Sequence, residues 1–243
     1  MRGTRMDLAP VVLPEGEWTH VKFTVPPLEG DEAHEVGWRI DIHPADPPWA
    51  YGKVYVDDLT VTGVMDYTID TSVQKTEFGQ PTPFSVNDGE TELRDGALFF
   101  KTAADGQMFS GNYYAGDISV EADAAVLGGD SAGLLLRGQG CRRYYFLGFS
   151  GENRVCIARW DSGERTELAS AAFPWKHGTV YHMAAEAVGD TLSLQIDGTR
   201  LLEVRDGRFA CGMFGPAHDA AAESRWQNFR IRASVYEKSA EKE

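Results

Sequence analysis

Two carboxylates stand two residues apart in a run that alternates between polar and apolar side chains. The run DISVEADAAVL places Glu121 and Asp123 on one face of a strand, because successive side chains of a strand point to opposite faces. Ile118 and Val120 lie on the other face, which is the face expected to meet the core. Carboxylate oxygens accept hydrogen bonds from hydroxyl groups. The strand therefore predicts a solvent-facing polar surface that could bind a hydroxylated ligand.

Other side chains suit the same ligand. In the run SRWQNFRIRA, alternation places Phe229 and Ile231 toward the core and Trp226 and Asn228 toward solvent. Trp226 would supply an aromatic plate for the apolar face of a sugar ring, and Arg137 would supply a planar fork of hydrogen-bond donors. With two residues from a neighbouring rim, the predicted ligand-binding set is Asn112, Tyr113, Glu121, Asp123, Arg137, Trp226 and Asn228.

Composition narrows the possible partners. The chain has 243 residues, 42% of them hydrophobic, which is enough for a globular core. Its formal net charge is −14, whereas phosphate backbones and anionic lipid surfaces attract basic proteins. No apolar run approaches the roughly 20 residues that a membrane-spanning helix needs. We therefore expect no nucleic-acid partner and no membrane partner, and neutral sugars remain compatible.

The cysteines indicate a reducing compartment. The chain has three, Cys141, Cys156 and Cys211, and a hairpin around Gly151 would place the first two out of register. No CxxC or HxxxH spacing suggests zinc. Without a recognisable apolar signal segment at the N-terminus, we expect free thiols and a cytoplasmic location.

Turn residues and alternation predict an all-β chain. Gly189-Asp190 and Asp197-Gly198 are pairs that tolerate the positive φ of tight hairpins. The run RYYFLGFS is apolar on both faces and is interpreted as a central strand covered on each side. About a dozen such runs in residues 65–235 predict an antiparallel two-sheet sandwich.

The N-terminal quarter is predicted to be a smaller β module. Residues 1–64 contain three strand-like runs, 18–25, 35–42 and 53–62, separated by loops rich in proline and glycine. Three strands are too few to close a sandwich, so this module is expected to be incomplete. Residues 236–243 are polar and are predicted to form a frayed tail.

The larger module resembles the concanavalin A-like sandwiches. Its nearest types are laminin-G-like modules, family 66 carbohydrate-binding modules and 3-keto-disaccharide hydrolase-like domains. The segments that carry the resemblance are SGNYYAGDISVEAD, YYFLGFSGENRV, LASAAFPW, VGDTLSLQIDG and SRWQNFRIRA. The implied fold class is an antiparallel concanavalin A-like β-sandwich preceded by a smaller, incomplete jelly-roll-like β module.

The first module resembles the last strands of a galactose-binding-like jelly roll, through EWTHVKFTVP, EVGWRIDI and GKVYVDDLTVTG. In related jelly rolls, the position of Asp57 and Asp58 often helps to hold a structural calcium, which makes calcium the one cofactor implied here. The order of the two modules resembles the C-terminal extension of some bacterial ADP-ribosylglycohydrolase-family proteins. This resemblance implies an accessory part attached to, or associated with, a catalytic domain.

Three functions remain open from the sequence. The preferred one is non-catalytic recognition of a glycan or glycoside by an accessory module of a larger hydrolase, with no catalytic residue in this chain. An alternative is an architectural domain that docks on a catalytic domain and binds no sugar. The other is a glycoside hydrolase, because Glu121-Ala-Asp123 resembles the start of the Glu-x-Asp-x-x-Glu strand of sandwich-fold β-glucanases, although Ala125 and Val126 stand where the third carboxylate would be.

Overall fold

The computed structural model describes residues 9–23, 53–57 and 64–235. The described residues form no helix, and hence no helix able to cross a membrane. Their strands are β1 (Val64–Ile69), β2 (Thr76–Glu77), β3 (Gln80–Pro81), β4 (Ser85–Val86), β5 (Glu90–Arg94), β6 (Ala97–Thr102), β7 (Gly106–Phe109), β8 (Ala115–Gly129), β9 (Ser131–Gly138), β10 (Arg143–Ser150), β11 (Arg154–Asp161), β12 (Glu164–Ala172), β13 (Tyr181–Val188), β14 (Thr191–Ile196), β15 (Thr199–Arg205), β16 (Met213–His218) and β17 (Ala222–Val235).

The strands form two large antiparallel sheets and one short hairpin. An eight-stranded sheet has the order β15-β14-β13-β8-β17-β6-β5, with β1 also paired to β17. A seven-stranded sheet has the order β12-β11-β10-β9-β16-β7-β4, and β2 pairs only with β3 among the described strands. The predicted all-β antiparallel sandwich is confirmed.

Tight turns close the hairpins at the predicted residues. Asp197 and Gly198 have φ of +49° and +76° between β14 and β15. Two successive positive φ values match the twist of the flanking strands, as in a type I′ turn.

The core lies between the two sheets. Alternate residues of the long strands point inward and are fully buried, for example Val120 and Ala122 of β8 and Leu134 and Leu136 of β9. Burial of this continuous apolar layer is the main force that holds the sheets together.

A second apolar cluster lies on the outer face of the seven-stranded sheet. Leu135, Tyr144 and Phe146 point away from the core, and each is fully buried. Tyr144 stacks on Trp160, with ring centroids 6.0 Å apart. Strand β10 is therefore covered on both faces, as its sequence predicted.

The predicted N-terminal module falls largely outside the described residues. Two of its runs are described in part, and residues 18–23 and 53–57 are not in strands, so the strands predicted there are absent over those residues. The run 35–42 and the tail 236–243 lie outside the described residues. The chain divides into two units, Met1–Val54 and Tyr55–Glu243, and every described strand belongs to the second.

Candidate functional site

Three of the predicted ligand-binding residues meet on the outer face of the eight-stranded sheet. Glu121 and Asp123 project from β8, and Asn228 donates from Nδ2 to Oδ2 of Asp123 at 2.6 Å. His182 joins them from β13, with Nδ1 2.9 Å from Oδ1 of Asp123 and Nε2 3.4 Å from Oε2 of Glu121. These four residues are called the polar cluster.

Strand pairing explains why these four side chains meet. In β13, His182 lies directly opposite Asp123, and on the other side of β8, Gln227 of β17 lies opposite the same residue. Neighbouring strands are about 4.8 Å apart, so side chains on one face of three adjacent strands are within hydrogen-bonding reach.

A β-bulge in β17 brings Asn228 onto this face. Between Gln227 and Arg230 the pairing with β8 gains one residue, and Asn228 takes a φ of +54°. Asparagine is one of the few residues that adopt this left-handed conformation readily. The bulge directs its side chain at Asp123, on the solvent-facing side that alternation predicted for Asn228.

The polar cluster is open to solvent yet internally ordered. The side chains of His182, Glu121 and Asp123 are 45%, 35% and 27% exposed. Both oxygens of Asp123 are engaged, one by His182 and one by Asn228, so this carboxylate has a fixed orientation. The remaining lone pairs and the Asn228 amide oxygen can accept or share hydrogen bonds with ligand hydroxyls.

Basic residues flank the cluster on the same sheet. Arg230 lies opposite Glu121 in the strand register. Its Nη2 is 3.8 Å from Oδ1 of Asp66, and Nε of Arg232 is 3.4 Å from the other oxygen of Asp66. These exposed pairs place donors beside the cluster carboxylates, so the face offers both donors and acceptors.

The prediction that Trp226 faces solvent is wrong. Trp226 is fully buried and stacks on Phe229 at 6.1 Å between centroids. Its Nε1 donates to Oγ of Ser224 at 2.7 Å, and the same hydroxyl is 2.7 Å from Nε2 of the buried His218. The bulge after Gln227 reverses the alternation, so Trp226 and Phe229 both face the core. An aromatic plate from Trp226 is therefore not part of the face.

The prediction that Arg137 lies on the same face is also wrong. Arg137 is the penultimate residue of β9 in the other sheet, with a φ of +51°, and its side chain is only 1% exposed. Its guanidinium donates to the carbonyl oxygens of Gly116, Ala187, Gly189 and Phe209 at 2.7–3.3 Å. Desolvation by burial lowers the pKa of Arg137 from its usual value, and nearby Asp117 partly opposes this effect. Arg137 is thus a structural tie between the sheets.

The rim residues lie far from the polar cluster. Asn112 accepts a hydrogen bond from the backbone N–H of Tyr114 at 2.7 Å and so fixes the turn before β8. Tyr113 in the same turn is 53% exposed. Since β8 begins at Ala115, six residues before Glu121, the turn lies about 20 Å from the cluster at roughly 3.3 Å per residue.

The described residues contain no group of three or more His, Cys, Asp or Glu side chains that could hold a metal ion. Asp57 is exposed, and Asp58 lies outside the described residues. The calcium site implied by these two aspartates remains a prediction.

Sequence reasoning missed His182. The histidine lacks a partner along the chain, and its partners come from β8, which precedes it by about sixty residues. Predicting the β8–β13 pairing would have identified it, because His182 lies on the outward face of a strand whose Met183, Ala185 and Ala187 face inward.

Comparison with known proteins shows the fold. No protein-family model and no curated protein matches the chain. Among solved structures, the carbohydrate-binding module CBM66 from Bacillus subtilis is similar at a TM-score of 0.57 and 20% identity, over 61% of this chain and 94% of that one. A galectin-like fold protein from Bacillus subtilis matches at a TM-score of 0.50 and 12% identity, over 64% and 91%.

An enzyme shares the fold as well. The endo-β-1,3-glucanase from Pyrococcus furiosus matches at a TM-score of 0.50 and 10% identity, over 70% of this chain and 94% of that one. The chain therefore has a galectin-like, concanavalin A-like β-sandwich, a fold that occurs in both a sugar-binding module and a sugar-cleaving enzyme. At these identities the likeness extends to the fold alone.

Proposed function

We propose that this chain is a non-catalytic carbohydrate-binding module whose ligand rests on the polar cluster. The observation that carries this proposal is the ordered, solvent-open group of Glu121, Asp123, His182 and Asn228. Sugar hydroxyls are recognised by carboxylate and amide groups whose positions are set before the ligand arrives. The likeness of the fold to CBM66 supports the proposal.

The expected binding is shallow. A sheet face buries less of a ligand than a closed pocket does, and the cluster contains no aromatic ring other than the imidazole of His182. We therefore expect weak binding that depends mainly on hydrogen bonds to the two carboxylates and Asn228.

Binding is favoured over hydrolysis by the geometry of β8. Val126, at the position that corresponds to the third carboxylate of the β-glucanase strand, is 1% exposed and packs in the core. Glu121 and Asp123 stand on the same face and contact one imidazole. A glycosidase instead needs two carboxyl groups that flank the scissile bond, one as acid and one as nucleophile or base.

The attached enzyme and the cellular location are part of the same proposal. We infer that the module serves a larger bacterial hydrolase, as the resemblance to ADP-ribosylglycohydrolase extensions implies, and that it acts in the cytoplasm. The partners would be the carbohydrate and the attached or associated catalytic domain.

A glycan screen by affinity electrophoresis tests this function. Retarded migration of the chain in at least one neutral polysaccharide gel, without release of reducing ends in the same mixtures, is the expected result. Release of reducing ends would replace the proposal with the hydrolase alternative. Unchanged migration in every polysaccharide would favour an architectural domain.

A further inference from the structure

An exposed aromatic ring stands at the tip of the β2–β3 hairpin. The turn residues Phe78 and Gly79 have φ of +51° and +80°, the pattern of a type I′ turn, for which asparagine or aspartate before glycine is preferred. Phe78 is nevertheless a bulky residue, and its side chain is fully exposed. It packs on no core residue, so the fold gives no reason for an aromatic residue at this place.

Phe78 lines a groove of about 560 Å³ between this hairpin and the segment that joins β4 to β5. This volume is within the range of small-molecule sites, roughly 300–1,000 Å³. The polar residues of the lining are Gln80, Asn87, Asp88, Glu90 and Thr91. The groove thus combines one aromatic ring with amide, hydroxyl and carboxylate groups.

The backbone that forms the floor of the groove, at Asn87 and Gly89, is held in place by the strands that lie beneath it. Asn87 donates from Nδ2 to Oε1 of Gln107 at 3.1 Å and from its backbone N–H to the carbonyl of Gln107 at 2.9 Å. Gln107 in turn donates to the Tyr144 hydroxyl at 3.0 Å. A Cβ atom at Gly89 would come within 2.6 Å of the carbonyl oxygen of Lys101, so this backbone lies directly against β6.

We propose that this groove is a second carbohydrate site, in which a sugar ring stacks on Phe78 and its hydroxyls bind Asp88 and Glu90. Within the described part of the chain, neither carboxylate has a side-chain hydrogen bond or an ion pair, so both are available as acceptors. An aromatic plate beside hydrogen-bonding groups matches the apolar face and the hydroxyl edge of a pyranose. The inference rests on the proposed carbohydrate-binding function but uses none of the polar-cluster residues.

The charge of the groove restricts the class of oligosaccharide that can bind there. Among the described residues its lining contains two carboxylates and no lysine or arginine, and the whole chain has a net charge of −14. A uronic acid would bring a third negative charge close to these two carboxylates, and the repulsion between like charges costs free energy. The ligand class is therefore an oligosaccharide without anionic groups, either neutral or amine-bearing.

Chemical-shift mapping on the full chain tests both sites in one experiment. The probes are cellohexaose, laminarihexaose, a glucosamine hexamer and an oligogalacturonate, each titrated into isotope-labelled protein. We expect a neutral or amine-bearing probe to shift the amide signals of residues 76–91, and the oligogalacturonate to leave them unchanged. Signals of residues 119–124 and 226–230 report on the polar cluster separately.

Three variants test whether ligand binding at the groove depends on Phe78 and on the two carboxylates. Phe78→Asn suits the left-handed turn and should keep the melting temperature at or above that of the wild type, while weakening binding at the groove about tenfold. Tyr114→Asn removes another exposed aromatic ring, 63% exposed in a different turn, and should change nothing at the groove. Asp88→Asn combined with Glu90→Gln should weaken groove binding without affecting the polar cluster.

Several results would overturn the inference. An unchanged groove affinity in Phe78→Asn would remove the ring from the site. Oligogalacturonate binding as tight as that of neutral probes would refute the charge argument. Oligolysine is titrated as a fifth probe, and shifts at 76–91 caused by oligolysine but by no sugar would indicate a peptide site. Shifts confined to the polar cluster would defeat the groove alone, whereas no shift at either site would defeat the proposed function too.

Discussion

Arg137 is a buried charged side chain whose hydrogen bonds contribute to stability. Its guanidinium donates to four backbone carbonyls, and three of these hydrogen bonds, to Gly116, Ala187 and Phe209, are buried. Arg137→Met should lower the free energy of unfolding by about 3–5 kcal/mol, because several buried carbonyl oxygens lose their donor at about 1–3 kcal/mol each. Urea denaturation measures this loss. Arg205→Met, which removes an arginine whose side chain is 80% exposed, should have almost no effect, and equal losses in the two variants would contradict this role.

His218 predicts a pH dependence of stability. Its Nδ1 lies 2.9 Å from the Thr102 hydroxyl, and burial lowers the pKa of His218 to about 3. Since an unfolded histidine has a pKa of about 6.5, the unfolded chain binds one more proton than the folded chain between about pH 3 and 6.5. The stability due to neutral His218 is complete above this window and falls by up to about 1.4 kcal/mol per pH unit as the pH drops through it.

Urea denaturation at pH 7, 6, 5 and 4.5 checks this slope. We expect wild-type stability to fall more steeply than that of His218→Gln, which retains hydrogen-bonding groups but cannot take up the proton. The carboxylates contribute equally to both proteins, so the difference between the two curves isolates His218. Parallel curves would show that His218 is not held neutral.

At the scale of elements, the bulge in β17 has two effects. It turns both Trp226 and Phe229 toward the core, and it directs Asn228 at Asp123 in the polar cluster. Asn228→Gly keeps a residue suited to a φ of +54° but removes the amide that binds Asp123. We expect near wild-type melting and weaker sugar binding. Asn228→Val should lower the free energy of unfolding by about 1–2 kcal/mol, because a β-branched residue is strained at positive φ. Loss of binding in the valine variant but not in the glycine variant would show that only the backbone matters.

Single left-handed residues also mark where sequence reasoning failed. Alternation correctly identified the inward residues of β8 and the two buried faces of β10. It placed Trp226 on the wrong side because Asn228 adopts a positive φ within the strand run and changes its parity, and Arg137, expected on the ligand face, also adopts a positive φ within its strand. Neither residue is a glycine, so the sequence had no strong signal for the irregularity.

At the scale of the whole molecule, the sequence predicted the sandwich but not the order of its strands. Turn chemistry and alternation are local, and they specify hairpins such as β14–β15. The position of β8 between β13 and β17 depends on contacts between residues far apart in the chain. That order unites Glu121, Asp123 and Asn228, which were predicted, with His182, which was not.

The most direct test of the carbohydrate-binding account is isothermal titration of one glycan into matched variants. The glycan is the one that retards the wild type most strongly in affinity electrophoresis. Asp123→Asn removes the charge of the central carboxylate and should weaken binding about tenfold or more, as expected for a hydrogen bond to a charged group.

Glu203→Gln provides the control, because Glu203 is an exposed carboxylate on the edge strand β15 of the same sheet. The account predicts wild-type affinity for Glu203→Gln and at least a tenfold loss for Asp123→Asn, with both proteins melting as the wild type does. Unchanged affinity in Asp123→Asn would contradict the assignment of the polar cluster as the sugar-binding site.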